Sequence, residues 1–506
     1  MFRYFGPPGT GKTTTLLNQV DTLLAEGTNP NDIGYFAFTR KAAHEARDRA
    51  VARFQLDAEE DFTYFRTLHS LAFLLLGMNT SEVLNDAHLK KFSEEIGVDL
   101  TADGVERNDD EGFIIIRSNH PVMRCIDIAR SSLQGPEYAY RGSELLIPLY
   151  EFEHVYDEYQ RFKAANGLKD FTDMLVDLAA NPAYIPHLKA VLLDEAQDLT
   201  PLQWKIAYHL DEKSERMYIA GDDDQGIYRW AGADINKFIS IPGGSSVLEQ
   251  SYRVPNSVHR TATSITNRIR YRQQKNWLPR QEEGSTTRIY DPFDVDLHNG
   301  EWLVLAQANY MLHPMAEHLK SSGQFFERFN KPSLGAKVRS AINSWNHLTS
   351  DATNHVLLNE VQNLYAFISS GETGVERGAK KLLEGTQPQD LFSLGSLRQH
   401  FGLRAEGSWE TALDKIRDED RAYATALLNR GIDINKKPKI RLSTIHGAKG
   451  GEADNVLLYL DLSGKALQQM ERNPDDAHRV LYVGVTRTKE NLVLKMPEDS
   501  QRGWAI

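Results

Sequence analysis

The sequence has few of the features that mark secreted, membrane-spanning or metal-cluster proteins. It contains one cysteine, Cys125, which excludes an internal disulfide and any zinc or iron–sulfur site held by several cysteines. Its longest apolar run, Leu71–Leu76, is far shorter than the ~20 residues that a membrane-spanning helix needs. No basic-then-apolar leader opens the chain. We therefore expect a cytoplasmic protein without a membrane partner.

The chain also lacks an excess of basic residues, since its net charge is −12 at pH 7. Overall charge governs solubility, whereas nucleic-acid binding depends on where the charges lie. From Arg253 to Arg280 there are seven Lys or Arg residues and no Asp or Glu, together with Tyr271 and Trp277. This basic stripe predicts a groove that binds a phosphate chain, although a solvated helix face would explain the same charges.

The order of apolar runs predicts a mixed α/β fold. At about 150 residues per domain, a chain of this length contains three or four domains. Strand-like runs alternate with helix-like segments, which is typical of parallel sheets that bind ligands at the carboxyl ends of their strands. The strand candidates are Tyr35–Thr39, Ala190–Leu193, Met217–Ala220, Trp302–Ala306, Ile440–Thr444, Val456–Leu460 and Leu492–Leu494.

Two stretches interrupt this alternation, at about 78–168 and about 345–436. Both contain amphipathic runs, such as Leu149–Phe162 in the first and Trp409–Leu428 in the second. We predict that each is a mainly helical insertion in an α/β domain.

A glycine-rich segment near the amino terminus predicts a nucleotide site. It follows a strand candidate, precedes a helical segment and fits the phosphate-loop pattern G-x-x-x-x-G-K-[ST]. Such a loop turns backbone N–H groups toward phosphates, its lysine reaches the β- and γ-phosphates, and its final hydroxyl binds Mg²⁺. The expected ATP-binding residues of this segment are Gly6, Pro7, Pro8, Gly9, Thr10, Gly11, Lys12, Thr13 and Thr14.

Two acidic clusters stand at the ends of apolar strands. Asp194 and Glu195 follow Val191–Leu193, and hydrolysis requires one carboxylate to hold Mg²⁺ and another to activate water. We predict Asp194 as the metal ligand, with Thr13, and Glu195 as the base. The second cluster, Asp222–Asp224, is interpreted as a solvated strand end, with a further metal site as the alternative.

Several further segments resemble the motifs of superfamily 1 DNA helicases of the UvrD/Rep type. They occur in that family's order and cover nearly all of the chain outside the two insertions. The segments that carry the resemblance are Ala37–Ala43, Thr67–Ser70, Asp170–Asp173, Asp194–Asp198, Gly221–Trp230, Leu248–Arg253, Phe325–Arg328, Ser443–Glu452 and Leu481–Arg487.

The resemblance implies two RecA-like motor domains, each carrying a mainly helical insertion. The first motor domain, with the ATP site, would comprise 1–77 and 169–247, with its insertion at 78–168. The second would comprise 248–344 and 437–506, with its insertion at 345–436.

The resemblance also implies roles at the ATP site. Gln225 would sense the γ-phosphate, and Arg253 and Arg487 would be arginine fingers of the second motor domain that reach the phosphate across a cleft. A guanidinium group suits this role because it is always charged and binds phosphate bidentately. Tyr252 would stack on the nucleotide base, and Glu452 would contact its sugar. ATP and Mg²⁺ are the expected cofactors.

A further set of residues would contact DNA. Aromatic rings stack on bases of any sequence, as a stepping motor requires, while smaller polar side chains would hold the backbone. The residues that the resemblance implies are Phe38, Arg40, Thr67, His69, Tyr228, Trp230, Thr444 and His446.

These motifs indicate an ATP-dependent helicase that moves along single-stranded DNA, with the 3′→5′ direction taken from the family. Single strands and junctions with duplex DNA are the expected partners, with replication or repair proteins also considered and a monomer expected without DNA. A translocase that strips bound proteins but unwinds weakly is the alternative, and a non-catalytic DNA-binding protein is a third. Only Met1–Phe5 precede Gly6, so the family's adenine-reading glutamine motif is expected to be absent and other nucleotides to be hydrolysed.

Overall fold

Residues 1–37, 40–54, 57, 60–101, 105–110 and 113–506 are described by a computed structural model. Internal contacts divide the chain into a first unit, Met1–Glu283 with Gln469–Thr486, and a second unit, Gly284–Gln468 with Arg487–Ile506. Over the described ranges, none of the helices combines the length and the apolar character that crossing a membrane requires.

Strands and helices alternate along most of the chain, as the order of apolar runs predicts. The strands are β1 Phe2–Phe5, β2 Ile33–Phe36, β3 Phe65–Arg66, β4 Val105–Asp110, β5 Phe113–Ser118, β6 Leu188–Leu193, β7 Ser214–Gly221, β8 Gly244–Val247, β9 Ser285–Ile289, β10 Trp302–Ala306, β11 Phe326–Arg328, β12 Lys331–Pro332, β13 His355–Leu357, β14 Leu391–Ser393, β15 Ile440–Thr444, β16 Ala453–Tyr459 and β17 Thr488–Lys495. The helices are α1 Lys12–Ala25, α2 Arg40–Phe54, α3 Leu68–Leu75, α4 Asp86–Ile96, α5 Pro121–Ser131, α6 Pro136–Arg141, α7 Leu149–Asn166, α8 Phe171–Ala180, α9 Pro201–Glu212, α10 Ile235–Ser240, α11 Asn256–Thr266, α12 His313–Ser321, α13 Ala336–Ser350, α14 Leu358–Phe367, α15 Ala379–Leu382, α16 Leu394–His400, α17 Trp409–Ala412, α18 Asp418–Asn429, α19 Gly464–Arg472 and α20 Pro474–Val485.

The first unit is built on a six-stranded parallel sheet in the order β3-β2-β6-β7-β1-β8. Its central strands are apolar on both faces because helices cover both sides. In β6, Val191 and Leu193 enter one buried cluster, while Ala190 and Leu192 enter the cluster on the opposite face. All the carboxyl ends of these strands lie at one edge, where ligands bind in such sheets.

The segment 248–283 packs with the first unit, although the order of the motifs predicts that it belongs to the second motor domain. Strand β8 pairs with β1, and the backbone N–H of Leu248 donates to the carbonyl of Phe5 at 2.8 Å. Helix α11 then packs against α20, which returns to the first unit from near the end of the chain. This return connection joins segments that are some two hundred residues apart and leaves no signal in local sequence.

The second unit contains a seven-stranded sheet in the order β12-β11-β15-β10-β16-β17-β9. Its neighbouring strands are parallel except for the β11–β12 hairpin. The predicted strands Trp302–Ala306 and Ile440–Thr444 agree with β10 and β15 in their bounds.

Both predicted insertions are mainly helical, but each also contains a two-stranded antiparallel sheet. Strands β4 and β5 pair within the first insertion, and β13 and β14 pair within the second. The predicted helical run Trp409–Leu428 is divided into α17 and α18. Leu413 and Ile416, which lie between these two helices, are both part of the buried core of the insertion. Asp418 then opens α18 with the acidic first turn that favours a new helix start.

Candidate active site

The phosphate loop connects β1 to α1 at the carboxyl edge of the first sheet. Gly9 and Gly11 have φ values of 72° and 79°, which glycine adopts without strain. The Lys12 ammonium donates to the carbonyl oxygen of Gly6 at 3.1 Å. A Cβ atom at Gly6 would lie 2.1 Å from Cγ of Lys12, so the loop closes tightly only with glycine at this position. Helix α1 starts at Lys12, and the residue before it, Gly11, has no side chain that could cap the first N–H groups of the helix. These groups suit a phosphate.

The predicted metal ligands Thr13 and Asp194 are brought together by this loop and by β6. The Thr13 hydroxyl donates to Oδ2 of Asp194 at 2.6 Å, and the backbone N–H of Glu195 donates to Oδ1 at 2.9 Å. Burial raises the pKa of the Asp194 carboxyl, and Glu195 adds to the effect. A hydroxyl and a carboxylate at this spacing are the hard oxygen donors that Mg²⁺ prefers, so the residues present fit the expected ion.

Tyr35, which was not predicted from the motifs, is a further residue of this site. Its hydroxyl donates to Oδ2 of Asp194 at 3.1 Å, and its ring stacks on Phe65 at 5.5 Å between centroids. Burial, together with Asp194, raises the pKa of Tyr35 well above its ordinary value. In the sequence, Tyr35 stands out because it is the one residue of β2 with a polar side-chain group. In the structure, Tyr35 pairs with Leu192 of β6, which places it beside Asp194.

The predicted base, Glu195, has an unusual backbone conformation. Its φ of 53° lies in the left-handed region, which non-glycine residues seldom adopt and which often marks functional sites. The Gln197 side-chain amide donates to the Glu195 carboxylate, and the carbonyl oxygen of the same amide accepts the backbone N–H of Asp222 at 2.9 Å. Gln197 therefore links the ends of β6 and β7.

The predicted sensor, Gln225, lies at the end of β7 in the same network. Its amide nitrogen donates to Oδ2 of Asp222 at 2.7 Å, and the side chain is almost fully buried. The hydrogen bond fixes the amide nitrogen toward Asp222. Glu195, Gln197 and Gln225 are thus connected through Asp222.

The interpretation of Asp222–Asp224 as a solvated strand end is wrong, because all three residues are completely buried. Their carboxylates are close enough together to share a cation, but a side chain already provides one. The ammonium of Lys275 lies 2.9 Å from Asp222 and 2.9 Å from Asp224 and also donates to Asp223. Arg272 binds Asp224 through two nitrogens. We call these five side chains the Asp–Lys cluster.

The charges of the Asp–Lys cluster depend on one another. Burial by itself would lower the pKa of Lys275, but the three carboxylates raise it well above its ordinary value. Burial would likewise raise the pKa of Asp224, but Lys275 and Arg272 lower it below its ordinary value. For Asp223, burial prevails over the attraction of Lys275 and raises the pKa. Arg272 and Lys275 are two of the seven cations in the basic stripe, so these two do not face a phosphate chain.

Arg253 and Tyr252 lie beside the phosphate loop within the first unit. The backbone N–H of Tyr252 donates to the carbonyl of Gly9 at 2.8 Å, and the Ser251 hydroxyl donates to the carbonyl of Pro8 at 2.7 Å. A Cβ atom at Gly9 would lie 2.4 Å from Cβ of Arg253. The Tyr252 side chain is 74% exposed. The structure therefore places Arg253 in the same unit as the loop, unlike the assignment from sequence.

Arg487 and Glu452 are close together in the second unit. Arg487 is buried and donates through Nη1 to the carbonyl of Gly451 at 3.2 Å, while Glu452 pairs with Lys489 at 2.9 Å. Thr444 ends β15, and its hydroxyl accepts the backbone N–H of Gly447 at 3.1 Å. His446 follows in the turn after the strand.

Two family profiles match the chain in the order that the motifs predict. The UvrD/REP helicase N-terminal domain matches residues 5–242, and the UvrD-like helicase C-terminal domain matches residues 333–498. The chain belongs to the UvrD/Rep helicase family. The mixed α/β fold with its two large parallel sheets agrees with the two RecA-like domains of that family.

Individual members of the UvrD/Rep family align with nearly the whole chain. The ATP-dependent DNA helicase PcrA of Bacillus subtilis is 26% identical over 96% of this chain and 79% of its own length. A probable DNA helicase II homolog of Rickettsia felis is 24% identical over 97% of this chain and 89% of its own length. The ATP-dependent DNA helicase UvrD2 of Mycobacterium bovis is 25% identical over 96% of this chain and 75% of its own length.

The residues that the family resemblance assigns to DNA occupy varied environments. Trp230 is 47% exposed and packs edge-on to Tyr228, with centroids 6.3 Å apart. Thr67 is buried and caps α3 by accepting the backbone N–H of Ser70, while the His69 ring packs on Phe171. Phe38 lies outside the described residues, and Arg40 begins α2 with a side chain that is likewise outside them. The DNA contacts of all the residues in this set remain predictions.

The motif Asp170–Asp173 has a clear structural role in the UvrD/Rep fold of this chain. The two carboxylates cap α8 and bind two buried cations. Arg130 contacts both oxygens of Asp170, at 2.7 and 2.9 Å, and Lys163 lies 2.6 Å from Asp170 and from Asp173. Burial opposes ionisation of Asp170, but Lys163 and Arg130 hold the pKa of its carboxyl well below the ordinary value. This cluster joins the first insertion to α8.

Proposed function

We propose that this protein is an ATP-dependent DNA helicase that moves 3′→5′ along single-stranded DNA and unwinds duplex DNA ahead of it. One observation carries the proposal. The phosphate loop and the end of β6 bring Thr13, Asp194 and Glu195 to one edge of the sheet, with the Thr13 hydroxyl 2.6 Å from Asp194. The family membership supplies DNA as the substrate of this motor.

Each ATP-site residue has a role that its surroundings support. Thr13 and Asp194 would hold Mg²⁺, which neutralises the phosphate charge that develops during cleavage. Lys12 would move from the Gly6 carbonyl to the β- and γ-phosphates, and Glu195 would orient and deprotonate the attacking water. Arg253 would stabilise the γ-phosphate from beside Gly9.

The remaining nucleotide contacts follow from the family assignment. Gln225 would respond to the γ-phosphate through its fixed amide, and Arg487 would act as the second arginine finger. Glu452 would bind the sugar and Tyr252 would stack on the base, for which its exposed ring is suited. A stacking contact depends on ring area and places little restriction on the identity of the base.

On the DNA, we propose that Trp230 and Tyr228 stack on bases, since aromatic platforms bind single strands of any sequence. Phe38, Arg40, Thr67, His69, Thr444 and His446 are proposed to complete this contact. The substrates would be single strands and their junctions with duplex DNA, served by a cytoplasmic monomer with replication or repair partners.

The test measures ATP hydrolysis with and without single-stranded DNA, and unwinding of duplexes that carry a 3′ or a 5′ tail. We expect DNA-stimulated hydrolysis, with only the 3′-tailed duplex unwound in the presence of ATP. Lys12→Ala should abolish both activities because no other loop side chain can replace the ammonium. Lys205→Ala, on the exposed surface of α9, is the matched control and should retain them.

Two results would contradict the helicase assignment in different ways. DNA-stimulated hydrolysis without unwinding of either substrate would indicate a translocase that displaces bound proteins. An absence of hydrolysis by the wild-type protein would indicate a DNA-binding protein without a motor.

A further inference from the structure

Two strongly exposed aromatic side chains lie in the second unit outside every residue assigned to DNA above. Tyr310 is 58% exposed and Phe329 is 59% exposed. Tyr310 lies in the short 3-10 helix Asn309–Leu312, which follows β10. Phe329 lies directly after β11, in the turn that leads to β12.

The sheet order places these two segments on either side of a proposed DNA contact. Strand β15 lies between β11 and β10, and all three strands are parallel. Ala306 of β10 is in register with Thr444 of β15. The segments that carry Tyr310 and Phe329 therefore leave the sheet at the same edge as Thr444 and His446, one on each flank.

Arg328 joins the two aromatic segments. Its guanidinium lies over the Phe329 ring, 4.8 Å from the centroid. Nη2 of the same side chain donates to the carbonyl of Asn309 at 3.0 Å, and Nη1 lies 3.2 Å from Nδ1 of His313. A cation is thereby held against one ring and beside the segment that carries the other.

The turn at Phe329 does not itself require an aromatic residue. Arg328 pairs with Lys331, so Phe329 and Asn330 form a two-residue hairpin loop, and their φ values are 54° and 56°. Such loops favour glycine, asparagine or aspartate at both positions. A bulky residue with positive φ is an outlier, and strain of this kind is retained where a functional contact needs the side chain.

We propose that Tyr310, Phe329 and Arg328 form an additional stacking site for the bases of a single-stranded nucleic acid. The proposal rests on the proposed function, because it extends the strand contact at Thr444 and His446 over the neighbouring loops. Exposed rings backed by a guanidinium suit bases and the adjoining phosphates together. The exposed Lys331 next to this turn adds positive charge at the same site.

The decisive variant is Phe329→Gly, because it removes the ring while suiting the left-handed backbone of the turn. Binding is measured by fluorescence anisotropy at one fixed salt concentration, with a (dT)16 oligonucleotide and with an abasic oligonucleotide of the same length. We expect (dT)16 binding to weaken by about tenfold, within the range for loss of one stacked base. Binding of the abasic strand, which offers phosphates but no bases, should stay within about twofold of wild type.

Tyr310→Leu should behave in the same way, and Tyr290→Leu is the matched control. Tyr290 is 81% exposed at the end of β9, on the same sheet but three strands from β10, or about 14 Å away at the usual strand spacing. Its substitution should leave both affinities unchanged. Thermal unfolding of each variant, with a midpoint close to that of wild type, would confirm that the fold is intact.

Three results would overturn the inference. If Phe329→Gly and Tyr310→Leu bind (dT)16 as tightly as the wild-type protein does, the two rings do not bind bases. An equal loss on the abasic strand would show that they do not act by stacking and would indicate another partner for this surface. If the wild-type protein binds neither strand, the proposed function fails together with the inference. The first two results would instead overturn the inference alone, because the wild-type protein would still bind DNA.

Discussion

Replacing Lys275 with methionine should test whether the Asp–Lys cluster holds the first unit together. The substitution preserves most of the side-chain volume but removes the positive charge and the hydrogen bond to Asp223. One ion pair at 2.9 Å is worth about 6 kcal/mol at an effective dielectric constant of about 20, before the loss of hydration is counted. Desolvation offsets much of this gain, so we expect a net loss of about 3–5 kcal/mol in the free energy of unfolding.

The dependence of this loss on pH follows from the pKa shifts. The pKa of Lys275 is raised in the folded protein, so its stabilising contribution is complete below its unfolded pKa of about 10.4 and is lost only above that value. The pKa of Asp224 is lowered, so its contribution is present above its unfolded value of about 3.9 and is lost as the pH falls through the folded value. Lys275 and Asp224 therefore keep their charges between pH 5 and 8. Asp223, whose pKa is raised by burial, binds a proton more readily in the folded than in the unfolded state, so its contribution favours folding at the acid end of this range.

In Lys275→Met, the carboxylates lose their main counter-charge and their pKa values rise. They then bind protons in the folded state more readily than in the unfolded state, so acid favours folding of the variant. The destabilisation relative to wild type should be largest at pH 8 and smaller at pH 5.

Urea unfolding of the full-length protein at pH 5 and pH 8 would measure both effects. Lys189→Met is the matched control, because this lysine pairs with Glu215 while more than half exposed, and an exposed pair of this kind contributes at most about 1 kcal/mol. A loss below about 1 kcal/mol for Lys275→Met, or a loss of equal size at both pH values, would refute the electrostatic account of the cluster.

Three further changes test other parts of the structure. Tyr35→Phe removes one hydrogen-bond donor to Asp194. The Mg²⁺ concentration that gives half-maximal hydrolysis should therefore rise severalfold, and so should the Kd for Mg²⁺ measured by calorimetry in the presence of nucleotide. Unchanged values would exclude Tyr35 from the site. Arg130→Met removes the guanidinium that binds Asp170 through Nη1 and Asp173 through Nη2, so the free energy of unfolding, measured in urea, should fall by about 3–5 kcal/mol. Arg130→Lys should restore only part of this loss, because one ammonium cannot reproduce the contacts of both nitrogens. The exposed Tyr252 ring should allow turnover of GTP and CTP beside ATP, and strict ATP preference in a four-nucleotide assay would contradict base recognition by stacking alone.

The main strands could be predicted from sequence because burial on both faces requires continuous apolar runs. In β10, Trp302–Ala306 is completely buried, and such a run between polar turns permits few other structures. The same reasoning located β6, which ends at Leu193, whereas β15 alternates apolar and polar residues and is buried on one face only. The phosphate loop was predictable for a different reason, since the positive φ values of Gly9 and Gly11 are a requirement of local backbone geometry.

The Asp–Lys cluster could not be predicted in the same way. Asp223 and Lys275 are 52 positions apart, and nothing in either segment indicates that the other will meet it. An acidic triplet is usually solvated, and a basic stripe usually faces solvent or a ligand. The composition of each segment alone therefore led to the wrong interpretation, because in the structure Lys275 and Arg272 neutralise the acidic triplet Asp222–Asp224.

The contacts around Asp222 give the ATP site a physical basis for coupled responses. The carboxylate of Asp222 receives the Gln225 amide on one side and the Lys275 ammonium on the other, while its backbone N–H donates to Gln197, which also binds Glu195. All of these groups are buried or nearly so, and a buried hydrogen bond is costly to leave unmade. A shift of the sensor Gln225 therefore disturbs an arrangement that also orients the base Glu195. Hydrolysis and phosphate sensing would respond together because they share this aspartate, which also pairs with the internal cation Lys275.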